Sequence, residues 1–172
     1  MNTLDPPIAV RPLSDVAPGS LVQLAGGERG FCTADPRNAS NKFVVRYRRE
    51  RSEFRYALVM DSVLDFGNGL IIAPDIASLV GNLLPGSEGT SQLLLTDDAP
   101  RIVFRMGDGD ETPHLLNLKT TGIESLRQAA GVIAFRRWSV GVNTTTSGYL
   151  QLLEVHAADA DDGPTEPNVG DV

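Results

Sequence analysis

Cysteine is nearly missing from this chain. Of 172 residues only Cys32 is a cysteine, so no intrachain disulfide and no paired-cysteine zinc pattern is available. That usage fits a reducing cytoplasm. Lysine is almost as scarce, with Lys42 and Lys119 against thirteen arginines. Such a bias is common in GC-rich bacterial genomes and is weak ground for arginine-specific chemistry. Histidine is limited to His114 and His156, and neither stands near Cys32 in the chain. No apolar run approaches the roughly eighteen residues of a membrane-spanning helix. The opening MNTLDPPIAV lacks the basic patch and apolar core of a secretory signal. Neither a G-x-S-x-G elbow nor a phosphate-binding glycine loop occurs. These absences weigh against an enzyme and against a membrane partner, and they point to no cofactor.

What is present suits a globular domain. A chain of this length, 41% hydrophobic, buries roughly two thirds of its unfolded surface and needs no staple. It suits one domain, or two small ones sharing a core. The net charge of −7 argues against general affinity for nucleic acid or anionic lipid. Its distribution is uneven. Lys42, Arg46, Arg48, Arg49, Arg51 and Arg55 stand against Glu50 and Glu53, a local balance of +4. From Ala157 onward Asp159, Asp161, Asp162, Glu166 and Asp171 stand without a base, a balance of −5, which leaves −6 on the remainder.

The strongest local pattern is KFVVRYRRERSEFRYALVM, Lys42 to Met60. Two alternating runs flank a charged turn at Arg49-Glu50-Arg51-Ser52. Period-two alternation of β-branched and aromatic residues marks strands half buried against a core. The pattern predicts a long antiparallel hairpin. Its dry face carries Val45, Tyr47, Phe54, Tyr56, Leu58 and Met60; its wet face carries Arg46, Arg48, Glu53 and Arg55.

Around it the chain reads as a flexible arm over residues 1–7, a β-rich domain over 8–157 and a disordered acidic tail over 158–172. A glycine- and proline-bearing stretch at 85–91 offers a division into two halves. Ile8–Leu13 reads as an edge strand, because Pro12 cannot donate to a ladder. Asp75 is placed to cap a short helix through Val80 with Gly81 as its stop, a strand being the competing reading of that run, and Ile123–Ala130 reads as a helix stopped by Gly131. Between Phe135 and Trp138 the apolar phase slips, which predicts a bulge near Arg136-Arg137. Tyr149–Val155 is the last strand. The expected class is mainly β, about nine or ten short strands with one or two short helices. An antiparallel β-sandwich and fused small β-barrels both satisfy the turn spacing.

For function, the arginine hairpin comes first. Arg46, Arg48 and Arg55 are expected side by side, with Arg49 and Arg51 at the tip and Tyr47 beside them. Guanidinium groups pair with carboxylate or phosphate, and the competing reading is a solvated sheet face answered by Glu50 and Glu53. The turn bearing Asp108, Asp110 and Glu111, with His114 after it, is the one cluster that resembles a hard-cation site, although Gly and Asp are also ordinary turn residues. Trp138 next to Arg136-Arg137 is either a core anchor or a cation–π platform, and the scarcity of aromatic area favours the anchor. The expectation is a non-enzymatic binding or assembly protein that uses the arginine hairpin on a protein partner or on a copy of itself. A metal-dependent hydrolase near Asp108, Asp110 and His114, and an RNA or single-stranded DNA binder, are the alternatives.

Overall fold

The computed structural model describes residues 8–35, 38–58, 61–80, 91–107, 110–126, 132–145 and 148–157. The expected arm, nearly all of the division at 85–91 and the acidic tail lie outside the described residues.

The fold is mainly β, with fifteen described strands. The first half supplies β1 (Ala9–Pro12), β2 (Leu21–Gln23), β3 (Arg29–Asp35), β4 (Asn38–Arg48), β5 (Glu53–Ala57) and β6 (Ser62–Asp65). Next come β7 (Ile71–Pro74), β8 (Leu79–Val80), β9 (Leu93–Leu95), β10 (Pro100–Gly107), β11 (Asp110–Asn117) and β12 (Ile123–Ser125). Last come β13 (Ile133–Phe135), β14 (Arg137–Thr144) and β15 (Gly148–His156). The larger sheet has the order β1-β6-β2-β3-β4-β5-β10-β9-β13-β8, with β11 also on β10 and β12 beyond it. The smaller sheet is β15-β14-β7. Every pairing is antiparallel except β5–β10, where Arg55 stands opposite Arg105. Strands before and after residues 85–91 are joined by that contact and also by β7 on β14 and β8 on β13.

The hairpin forms as its alternation requires. Val45 pairs with Tyr56, Arg46 with Arg55, Tyr47 with Phe54 and Arg48 with Glu53. A single 3₁₀ turn, Arg49–Arg51, closes it, and Ser52 takes the left-handed conformation that ends the turn. The dry face enters the main core beside Leu21, Phe31, Ile102 and Phe104, and the smaller sheet contributes Trp138, Val140, Leu153 and Val155. The core therefore draws on both sides of residues 85–91. Two smaller clusters lie elsewhere: Leu13, Val16, Val22, Cys32, Val44 and Val63 in one, and Leu94, Val103, Leu115, Val132 and Ala134 in the other.

Of the two expected architectures the sandwich is the one that forms. Neither sheet closes into a barrel among the described residues. Several local expectations need correction. Ile123–Ser125 is strand, paired with His114–Leu116, because a short helical repeat cannot offset the cost of nucleation when an open sheet edge is beside it; residues 127–131 lie outside the described residues. Asp75 does cap, its carboxylate accepting from the Ala77 amide at 2.9 Å, but the turn it caps is only Ile76–Ser78 and the chain then pairs as β8. The described helical elements are all single 3₁₀ turns. The phase slip at Arg136 is not a bulge. The chain leaves the larger sheet after Phe135 and enters the smaller one at Arg137, so Phe135 and Trp138 reach one core from different sheets. At the far end of the dry face Leu58 is 66% exposed, and Met60 lies outside the described residues.

Gly30 marks a close approach between β3 and β4. A Cβ there would lie 2.4 Å from the Val45 carbonyl oxygen and 2.5 Å from the Arg46 Cα. Since backbone would have to move, Gly30→Ala is expected to lower the unfolding free energy by about 2 kcal/mol or more. At Gly26 a Cβ meets nothing, and Gly26→Ala should change stability by less than about 0.5 kcal/mol. Equal urea midpoints for the two variants would contradict this packing.

Candidate functional site

The backbone brings the hairpin arginines together, and the side chains then spend most of their charge internally. Arg46 and Arg55 are direct cross-strand partners, and Arg105 continues the row on β10. The face is not wet. Arg55 is 8% exposed and Glu53 6%, with Arg55 Nε and Nη2 donating to the two Glu53 oxygens at 2.9 and 3.1 Å. Arg46 Nη1 donates to Glu28 at 2.5 Å. Arg48 donates to Glu50 at 3.3 Å and lies 4.0 Å from Glu53. Lys42 caps the carbonyls of Ser14 and Val16 at 2.5 and 2.6 Å. Neighbouring strands crowd this face, so each guanidinium needs a carboxylate or carbonyl to offset its lost hydration. Arg49 and Arg51, at the tip, are exposed and form no ion pair among the described residues.

Beside that tip lies an open cleft of about 650 Å³. Tyr47, Arg49, Glu50 and Ser52 form one wall, the Gly26–Arg29 turn a second, and Leu152, Leu153, Glu154 and His156 the third. Tyr47 fixes the geometry: its hydroxyl donates to the His156 carbonyl at 2.9 Å and accepts from the His156 amide at 3.1 Å. Arg29 is held by Gln23 at 2.9 Å and by the face of Phe66 at 5.4 Å, and it donates to the Leu152 carbonyl. Reading the sequence could not find this wall, because β15 lies about a hundred residues beyond the hairpin and carries no motif. The one signal available was the Gly26-Gly27 turn, and turns of that kind are too common to single out.

Trp138 and Cys32 belong to the core. Trp138 is 2% exposed, stacks on Phe54 at 5.7 Å and donates from Nε1 to the Ser91 carbonyl at 2.8 Å, so it is a core anchor and not a platform. His114 lies against Phe104, with ring centroids 5.8 Å apart. Asp108 and the side chains of Asp110 and Glu111 lie outside the described residues, and among the described residues no three metal-ligating groups converge. Cys32 is buried, and burial pushes its thiol up to about 11, which leaves it unreactive as a nucleophile. The densest charge cluster was not foreseen. Arg101 donates to Asp98 at 2.9 and 3.1 Å, to Glu124 at 2.6 Å, to the Ala99 carbonyl at 3.1 Å and to the Thr96 hydroxyl. Asn117 adds a bond to Glu124 at 2.7 Å. These contacts pin the β9–β10 turn to β12.

No protein-family model, curated protein or solved structure matches this chain.

Two outcomes follow from the charge placement. Glu53→Ala removes the carboxylate that accepts two hydrogen bonds from the buried Arg55 and should cost about 3 kcal/mol of stability, whereas Arg49→Ala should cost less than about 0.5 kcal/mol; chemical denaturation compares them. The second concerns acid. Hydrogen bonds from Arg101 hold Asp98 well below the ordinary carboxylate range. Burial alone would raise Glu124, but hydrogen bonds from Arg101 and Asn117 bring it below its usual value. Folded values lower than unfolded ones mean that this stabilisation is complete above about pH 5 and is lost as pH falls through the folded-state values. The stability gap between the native chain and Asp98→Asn should therefore narrow from pH 6 toward pH 2. A gap that does not change with pH would contradict an ionic clamp.

Proposed function

We propose that this chain is a non-enzymatic binding or assembly protein whose contact surface is the tip of the arginine hairpin together with the cleft beside it. The partner it suits is an extended protein segment carrying carboxylates. What supports this reading is the division of charge along the hairpin. Arg46, Arg48 and Arg55 are matched to Glu28, Glu50 and Glu53, while Arg49 and Arg51 stand exposed, and Arg49 borders the cleft with Tyr47. An unmatched guanidinium next to a concave surface can take a carboxylate bidentately without first breaking an internal pair. An RNA or DNA backbone is a poorer fit. A polyanion requires a continuous run of unpaired cations, and the middle of the hairpin is already neutralised.

The measurement is binding of fluorescent Asp/Glu-rich peptides to the full chain at low and high salt. The native protein should bind such a peptide, and Arg49→Glu/Arg51→Glu should weaken binding at least tenfold with its circular dichroism unchanged. Binding that ignores the tip reversal, or no binding at all, would overturn the reading. Tighter binding of a matched oligonucleotide, with a steep salt dependence, would favour the nucleic-acid alternative instead.

A further inference from the structure

An uncapped strand edge is a template for another chain, and proteins blunt it with proline, charge, shortness or cover. Four of the five sheet edges described here are blunted. β1 carries Pro12 and Arg11, the latter 3.6 Å from Asp65. β7 is four residues long and ends in Pro74. β8 has two residues, and β12 has three with Glu124 at the centre. β15 is different, with nine residues and no proline.

The two ends of its outer edge are treated differently. Toward the C-terminus, Tyr47 takes both backbone groups of His156 and Arg29 takes the Leu152 carbonyl. Toward the N-terminus, Gly148–Leu152 reads GYLQL, with no charge, and Tyr149 and Leu150 are 39% and 43% exposed. The Leu150 carbonyl faces β14, for a Cβ on Gly141 would lie 2.3 Å from it. The Gly148 carbonyl accepts from the hydroxyl of Thr144, which ends β14, at 3.2 Å. Backbone direction alternates along an antiparallel strand, so the amides and carbonyls of Tyr149 and Gln151 point away from β14. Tyr149 is already ordered, its ring against Gly141 and its hydroxyl 3.0 Å from Ser139 Oγ.

We infer that this edge self-associates: the Tyr149–Gln151 edge of one copy pairs antiparallel with the same edge of a second. The twofold axis passes beside Leu150. Tyr149 of each copy exchanges backbone hydrogen bonds with Gln151 of the other, and the two leucines meet where paired Cα atoms come closest, about 4.5 Å apart. The result joins two three-stranded sheets into one of six. A second copy is the occupant that the chemistry selects. The segment is uncharged, so self-pairing sets no like charges across the axis, and Glu154 is four residues off it, roughly 27 Å from its symmetry mate. The two outward residues are spaced to satisfy each other under a twofold rotation. A contact of three or four residues a side falls short of the roughly 1,200 Å² of stable interfaces, so the dimer is a weak one. This surface is separate from the hairpin tip and does not depend on the peptide reading.

Sedimentation velocity on the full chain, from micromolar to near-millimolar concentration, tests it. The native protein should shift from monomer to dimer, and added salt should preserve or strengthen the shift, because each copy carries −7; salt should weaken tip binding. Leu150→Lys places two ammonium groups at the axis and should raise the dimer dissociation constant at least tenfold. Gln151→Pro removes an outward amide that no described strand of the monomer uses and should do the same, with circular dichroism confirming the fold of each variant. A native chain that stays monomeric throughout, or a dimer that both variants leave intact, would overturn the inference.

Discussion

The stack of Phe54 on Trp138 is the contact on which the arrangement turns. Phe54 lies at the centre of the hairpin's apolar face and Trp138 at the start of β14. Their overlap clamps the larger sheet to the smaller, and the indole N–H, bonded to the Ser91 carbonyl, fixes the angle at which it does so. A buried indole needs such a partner. Because successive side chains of a strand point to opposite faces, committing Phe54, Tyr47 and Val45 to this core commits Glu53, Arg46, Arg48 and Arg55 to the other face. The position of the arginines is a consequence of aromatic packing.

That other face is not open to water along its whole length. The segment around Val16 covers it at one end, with Val44 and Cys32 beneath. The β10 strand crowds it at the other, with Val103 buried beside β5. A guanidinium held there loses hydration, and the attraction of a single carboxylate offsets that loss only when the hydrogen bonds are well formed. Arg55 with Glu53 meets this condition through two bonds, and Arg46, less deeply buried, makes one to Glu28. The excess of positive charge is thereby pushed outward to the 3₁₀ turn, where Arg49 and Arg51 are exposed. The same logic explains Arg101, whose guanidinium donates to Asp98, Glu124, Thr96 and Ala99.

Edges are handled with comparable economy. Tyr47 and Arg29 each use a side chain of the larger sheet to occupy backbone groups on β15, which both docks the smaller sheet and closes the lower part of its edge. The bulge near Leu152 turns that leucine toward the core and interrupts the ladder. Above the bulge no side chain among the described residues bonds the edge, and its sequence holds neither charge nor proline.

Much of this was written locally in the chain. The alternation over Lys42–Ala57 was enough for the hairpin, its turn and the identity of its two faces, since neighbouring residues alone set the period. Asp75 as a cap and β15 as the final strand were legible for the same reason. Where a residue's state depended on a distant segment, local reading failed. Ile123–Ser125 carries a helix-like spacing, but the open edge of β11 claims it. The slip at Arg136 suggests a bulge within one strand, whereas it marks a change of sheet, visible only once both sheets exist. The sequence by itself determined a mainly β chain with arginines opposite an aromatic face. Only tertiary structure decided which of those arginines keep an exposed charge, because burial and the reach of a carboxylate are properties of chain segments brought together from afar.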